Sequence, residues 1–124
     1  MTEQEEVKVI ENSILDDTKK ALGILPSIKD FDVDIILQIN SAFSILTQLG
    51  VGPDDGFIIK DNTTLWTEYY TDKRMSMIES YIHAKVKLTF DPPSNSFTVQ
   101  ALEKSIDQYE WRLKTLIETS GKNV

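Results

Sequence analysis

Apolar residues recur at helical spacing in four stretches of this chain, and turn-forming residues separate them. The first stretch predicts a helix over about Asn12 to Leu22. Asn12 or Ser13 can cap it, Asp16 and Asp17 sit early, Lys19 and Lys20 sit late, and Gly23 stops it. Ile14, Leu15, Thr18, Ala21 and Leu22 form its inner side, and Pro26 then breaks the chain. The second stretch predicts a helix from about Val33 to Leu49, capped by Asp30 or Asp32 and ended by Gly50. Val33, Ile36, Ile39, Phe43, Leu46 and Leu49 hold its core side. Gln38, Ser41, Ser44 and Gln48 hold its wet side, where Leu37 and Ile45 intrude.

The third and fourth stretches form a pair around the segment DPPSNSF. Pro92 and Pro93 lack backbone N–H groups and push the residues before them out of the α region, so a helix cannot run through. Ser94, Asn95 and Ser96 add turn chemistry, and Thr98 can cap the helix that follows. So short a turn predicts an antiparallel hairpin of helices. The first of the pair, opened by Asp72 and running from Met75, is apolar over most of its circumference. Only Ser76, Ser80, His83 and Lys87 make a narrow polar strip. Such a helix is covered by several neighbours, which makes it the central helix. In the second, Leu102, Ile106, Tyr109, Leu113, Leu116 and Ile117 share a core stripe. Trp111 stands nearly opposite, among Lys104, Asp107, Gln108 and Thr115; it either lies under a neighbouring segment of its own chain or meets another subunit.

Between the second and third stretches, Gly52, Pro53, Asp54, Asp55 and Gly56 make a strong turn signal. Phe57, Ile58 and Ile59 are β-prone but too few for a helix, which predicts a short strand or extended loop near 56–60. Thr64 can cap a helical turn over Leu65 to Tyr70 that carries Trp66, Tyr69 and Tyr70. The expected fold is mainly α: one domain over 1–124, a compact antiparallel bundle of about four main helices. Residues 1–11 and 119–124 are expected to be mobile.

Composition narrows the function. A net charge of −7 argues against a surface that holds nucleic acid, because phosphate contacts need clustered Lys and Arg. With no cysteine, disulfides, thiolate metal sites and cysteine nucleophiles are excluded together. No apolar run nears the roughly 20 residues that span a bilayer, and MTEQEE is opposite in charge to a secretory signal, so cytoplasmic residence or a particle assembled there is expected. His83 is the only histidine, and it reads as solvent-facing or simply hydrogen-bonded. Setting Gly56 as the sixth position of a calcium loop puts Val51 first, Pro53 third and Asn62 twelfth, where carboxylates are needed. GVGPDDG lacks the following Lys-Ser/Thr of a phosphate loop. No catalytic, cofactor-binding or metal-binding residue is therefore assigned. What remains is surplus apolar and aromatic surface, and the interface candidates are Trp111, Phe57, Ile58, Ile59, Trp66, Tyr69 and Tyr70.

ILDDTKKALGI (14–24), FDVDIILQINSAFSILTQLGVGP (31–53), GFIIKD (56–61), Trp66, YIHAKVKLTFDPPSNSF (81–97) and ALEKSIDQYEWRL (101–113) appear in an order that resembles head–tail connector (adaptor) proteins of tailed bacteriophages and Gram-positive prophages. The DPP turn and the EWRL segment carry the resemblance most specifically. It implies a structural virion protein with no enzymatic activity and no cofactor. It also implies a self-assembled ring, typically dodecameric, between the portal protein and a tail or stopper protein, with DNA as a passing occupant of the channel and no membrane. The virion, and the host cytoplasm during assembly, are the implied locations. The competing reading is a small helical regulatory or scaffolding protein that binds one protein partner without forming a ring.

Overall fold

Each of the four apolar stretches becomes a helix in the computed structural model, which describes residues 10–119. They are α1 (Ile14–Ala21), α2 (Asp32–Gln48), α3 (Met77–Phe90) and α4 (Ser96–Thr119). Single 3₁₀ turns occur at Trp66–Glu68 and Lys73–Met75. The expectations for 1–9 and 120–124 lie outside the described residues. Ile10, Glu11 and Thr119 lie within them, and Thr119 ends α4.

Local chemistry sets each helix start. Ser13 caps α1: its hydroxyl accepts from the Asp16 N–H at 3.1 Å. The start of α2 departs from expectation. Phe31 stands at its N-cap with no side-chain cap bond, and neither Asp30 nor Asp32 plays that role, because Asp32 is turned toward Lys19. At α4, Asn95 replaces Thr98 as the cap; its Oδ1 accepts from the N–H groups of Phe97 (2.7 Å) and Thr98 (3.2 Å) and starts the helix earlier. Thr64 does not cap the 66–68 turn. Its carbonyl accepts from the Ile14 N–H, and the Glu68 carboxylate accepts from the Leu65 N–H instead. Asp72 caps the 3₁₀ turn before α3, accepting from the Arg74 N–H at 2.9 Å.

α3 is the central helix: it packs against α1, α2 and α4. Its pairing with α4 is antiparallel, since Phe90 and Ser96 flank the proline turn while Tyr81, further back, reaches Glu110, further on, at 2.8 Å. The core collects Ile14 and Leu15 from α1, Ile35, Ile39, Phe43 and Leu46 from α2, Ile78, Tyr81, Ile82 and Val86 from α3, and Ile106, Leu113 and Ile117 from α4. Burying each large aliphatic or aromatic side chain stabilises the fold by roughly 1.5–3 kcal/mol. The core face of α2 is rotated from the expected one. Ile35 and Ala42 are buried, Ile36 and Leu49 are only partly so, and Val33 is 73% exposed. A helix with so many apolar positions leaves its rotational phase to its neighbours.

No strand forms at 57–59; among the described residues the one β-like feature is an isolated bridge between Ser13 and Leu65. The segment is an extended loop held by a side chain. Asn40 of α2 donates to the Ile59 carbonyl (3.0 Å) and accepts from the Ile59 N–H (2.8 Å). One amide can meet both groups only when they point the same way, as they do in extended backbone. The loop enters through Gly52, whose φ of +83° suits glycine and whose added Cβ would lie 2.7 Å from the Tyr69 ring and hydroxyl. Gly52→Ala is expected to cost about 2–4 kcal/mol from left-handed strain plus overpacking. Gly56→Ala, where nothing lies within 4 Å, should cost about 1–2 kcal/mol. Urea denaturation of both variants checks this, and equal losses would refute the clash.

Candidate interaction surfaces

The seven apolar candidates separate into two groups once the chain is folded. Ile59 (2% exposed), Trp66 (2%) and Tyr69 (8%) belong to the core of the folded chain itself. The Trp66 indole N–H donates to Asp17 Oδ2 at 2.9 Å, and its ring meets the His83 ring edge-on at 5.9 Å. Tyr69 packs tilted and Phe57 edge-on against Phe43, with ring centroids 4.6 and 5.0 Å away, and the Tyr69 hydroxyl donates to the Val51 carbonyl. Phe57 is thereby half-buried. Tyr70 is also half-buried, and its hydroxyl donates to the Glu79 carboxylate at 2.5 Å. Burial, with help from Glu79, pushes the Tyr70 hydroxyl up to about 12.

The other two stay in water. Ile58 is 63% exposed and Trp111 is 68% exposed. They project from different elements, the extended loop and α4. Ile58 joins Phe57, Asn40, Ser44, Thr47 and Gln48 around an open cleft of about 480 Å³, with Asp54 and Asp55 also on its lining. Sequence reasoning missed further exposed apolar side chains. Phe97 is 80% exposed on α4 and lies about 40° from Trp111 around that helix. Its signal is hidden in the sequence because Thr98 reads as the cap, which leaves Phe97 in the turn. Val33, read from sequence as a core position of α2, is exposed one turn from Leu37, which the sequence already places on the wet side.

His83 is not solvent-facing. It is largely buried beside Trp66, and Nε2 is enclosed with no hydrogen-bond partner among the described residues. Burial holds its imidazole below the usual 6.5, against the opposing pull of Asp17 and Glu79. The neutral form is thus favoured in the folded state, so this contribution to stability is intact above pH 6.5 and is lost as pH falls through the folded-state value. Because the chain has one histidine, a proton NMR titration of its ring is unambiguous. The midpoint should fall below 6.5 in the native protein; a midpoint at or above 6.5 contradicts the burial argument. Asp61 and Asp72 are held low by hydrogen bonds from Thr63 and Arg74, so any contribution from these exposed groups is lost only below the ordinary carboxylate range. Among the described residues, no group of three or more His, Asp or Glu is placed to hold a metal ion, and no helix is long and apolar enough to cross a membrane.

A family model described as "Phage connector protein" matches residues 14–120. No curated protein and no solved structure matches the chain.

Proposed function

This chain belongs to the phage connector protein family, and from that premise we propose that it is a ring-forming subunit seated between the portal and the tail. A structural head–tail connector role, rather than a catalytic one, follows from the family. Ring closure, portal contact and stopper or tail contact are the finer parts of the reading. The observation that supports them is the pair of large apolar side chains, Trp111 and Ile58, left in water on different elements. A closed ring needs two different surfaces on each subunit, because its contacts are head-to-tail.

The charge of −7 supports a DNA conduit in the same reading, since a basic wall would hold phosphates and stall passage. The virion at the head–tail junction, and the bacterial cytoplasm during assembly, are the corresponding locations. Electron microscopy of the protein incubated with purified portal tests the whole reading. A second ring stacked on the portal is expected. A protein that remains monomeric or dimeric and leaves the portal bare would favour the regulatory or scaffolding alternative. The conduit is tested separately by gel shift with duplex DNA: no tight, salt-sensitive complex should form, and a tight one would overturn it.

A further inference from the structure

We propose that the water-facing side of α2 is a self-association surface, on which a second copy of this chain lays the same side of its own α2, antiparallel and across a two-fold axis near Ser41. The first observation is missing charge. From Ile35 to Pro53, nineteen consecutive residues carry none in a chain that is 27% charged. At that average, about five charges would fall in such a run. Core packing accounts for only part of it. Val33, Leu37, Ser41, Ser44 and Gln48 are all exposed, and they lie within about 80° of one another around the helix, on a strip about 22 Å long. Asp34, at the first turn, is the only charged residue among the exposed ones of α2. By contrast α4, the other long helix, exposes Lys104, Asp107, Lys114 and Glu118 along its length. A solvated helix face normally carries charge, whereas the centre of an interface is depleted in it.

Two further features select the occupant. A charged group pressed onto this strip would lose its water and gain no counter-charge, so the occupant must be charge-free over the same length, as the strip itself is. The strip is also uneven. Its N-terminal half carries the large apolar Val33 and Leu37, 73% and 61% exposed, and its C-terminal half carries the small Ser41 and Ser44. Laid antiparallel on a copy of itself about Ser41, it sets Leu37 over Ser44 and Val33 beside Gln48, large against small as interdigitating helices require. The two Ser41 hydroxyls then face each other, one donating and the other accepting. Parallel apposition would set large on large. At the 10–12 Å width of a helix the strip covers roughly a few hundred Å², below the ~800 Å² per partner of a standard interface. The dimer is therefore expected to be weak, with a Kd of about 10–500 µM. A two-fold pair closes on itself, so this contact is separate from the head-to-tail contacts of a ring and does not rest on that reading.

Sedimentation of the unaltered chain without portal should show monomer giving way to dimer as concentration rises through that range. Leu37→Lys puts a charge on the strip at a position already in water; it should leave urea denaturation nearly unchanged and weaken the dimer at least about 30-fold. The chain has no cysteine, so single substitutions give the register. With a short bismaleimide, Ser41→Cys should cross-link to itself. Val33→Cys alone and Gln48→Cys alone should not, and a mixture of those two should. A chain that stays monomeric to about 1 mM would overturn the proposal and leave the strip to a different protein. Val33→Cys cross-linking to itself would mean a parallel pair, and a dimer insensitive to Leu37→Lys would mean another surface; either result overturns the proposal. None of these outcomes depends on whether a ring stacks on the portal, so the two readings fail separately.

Discussion

Lys19→Ala is expected to lower stability by about 3–5 kcal/mol, the cost of breaking a buried ion pair by removing one partner. Lys19 is 0% exposed, yet its ammonium is fully engaged. It donates to the carbonyls of Ile28 (2.6 Å) and Pro26 (3.0 Å) and lies 2.8 Å from Asp32 Oδ1. The contact with Asp32 is an ion pair by distance but is not aligned as a hydrogen bond, and that oxygen has no hydrogen-bond partner among the described residues. Two carbonyls thus accept from the ammonium and one carboxylate balances its charge, and the connection from α1 to α2 is folded around it. Alanine would strand two carbonyls and a carboxylate that is only 20% exposed, and would leave a void. At about 4 °C per kcal/mol for a chain of this size, the melting temperature should fall by roughly 10–20 °C. Asp32→Ala on the Lys19→Met background should cost less than on the unaltered chain, by about 1–3 kcal/mol of coupling. A loss under about 1 kcal/mol for Lys19→Ala would show that the ammonium does not hold this connection.

Trp66→Ala should cost about 3–5 kcal/mol, whereas Trp111→Ala should change stability by no more than about 0.5 kcal/mol. The two tryptophans are chemically identical and differ in surroundings. Trp66 is enclosed against His83 and bonded to Asp17, so truncation opens a cavity and removes the donor to Asp17 Oδ2. Trp111 is 68% in water already and loses little when cut back. Urea denaturation of both variants gives the two values on one scale. Comparable losses, or the reverse order, would refute the assignment of one ring to the core and the other to the surface.

The four helices and their order were legible from apolar spacing, because 3.6-residue periodicity is a local property of the chain. The proline turn was legible for the same reason. The central position of α3 could be read from its nearly unbroken apolar circumference. The helix caps were less legible. Asn95 and Thr98 are both good cap residues three positions apart, and only the backbone path at Asn95 brings its side chain onto two free N–H groups. Lys19 and Asp16 read as ordinary charges matched to a helix dipole, yet both are buried. Their partners, Asp32 and Asn62, are remote in sequence, so no local pattern announces them.

What the sequence determined by itself was the class of molecule. Four amphipathic or apolar helices, no cysteine and no metal-ligand set leave a helical body with apolar side chains to spare, because spacing and residue type are written along the chain. What the tertiary structure decided was where the spare ones went. Trp66, Tyr69 and Ile59 closed the core, while Ile58 and Trp111 stayed outside. An aromatic side chain gains the same burial free energy from its own chain as from another, so its type cannot choose between them. That choice belongs to the neighbours that packing brings within reach.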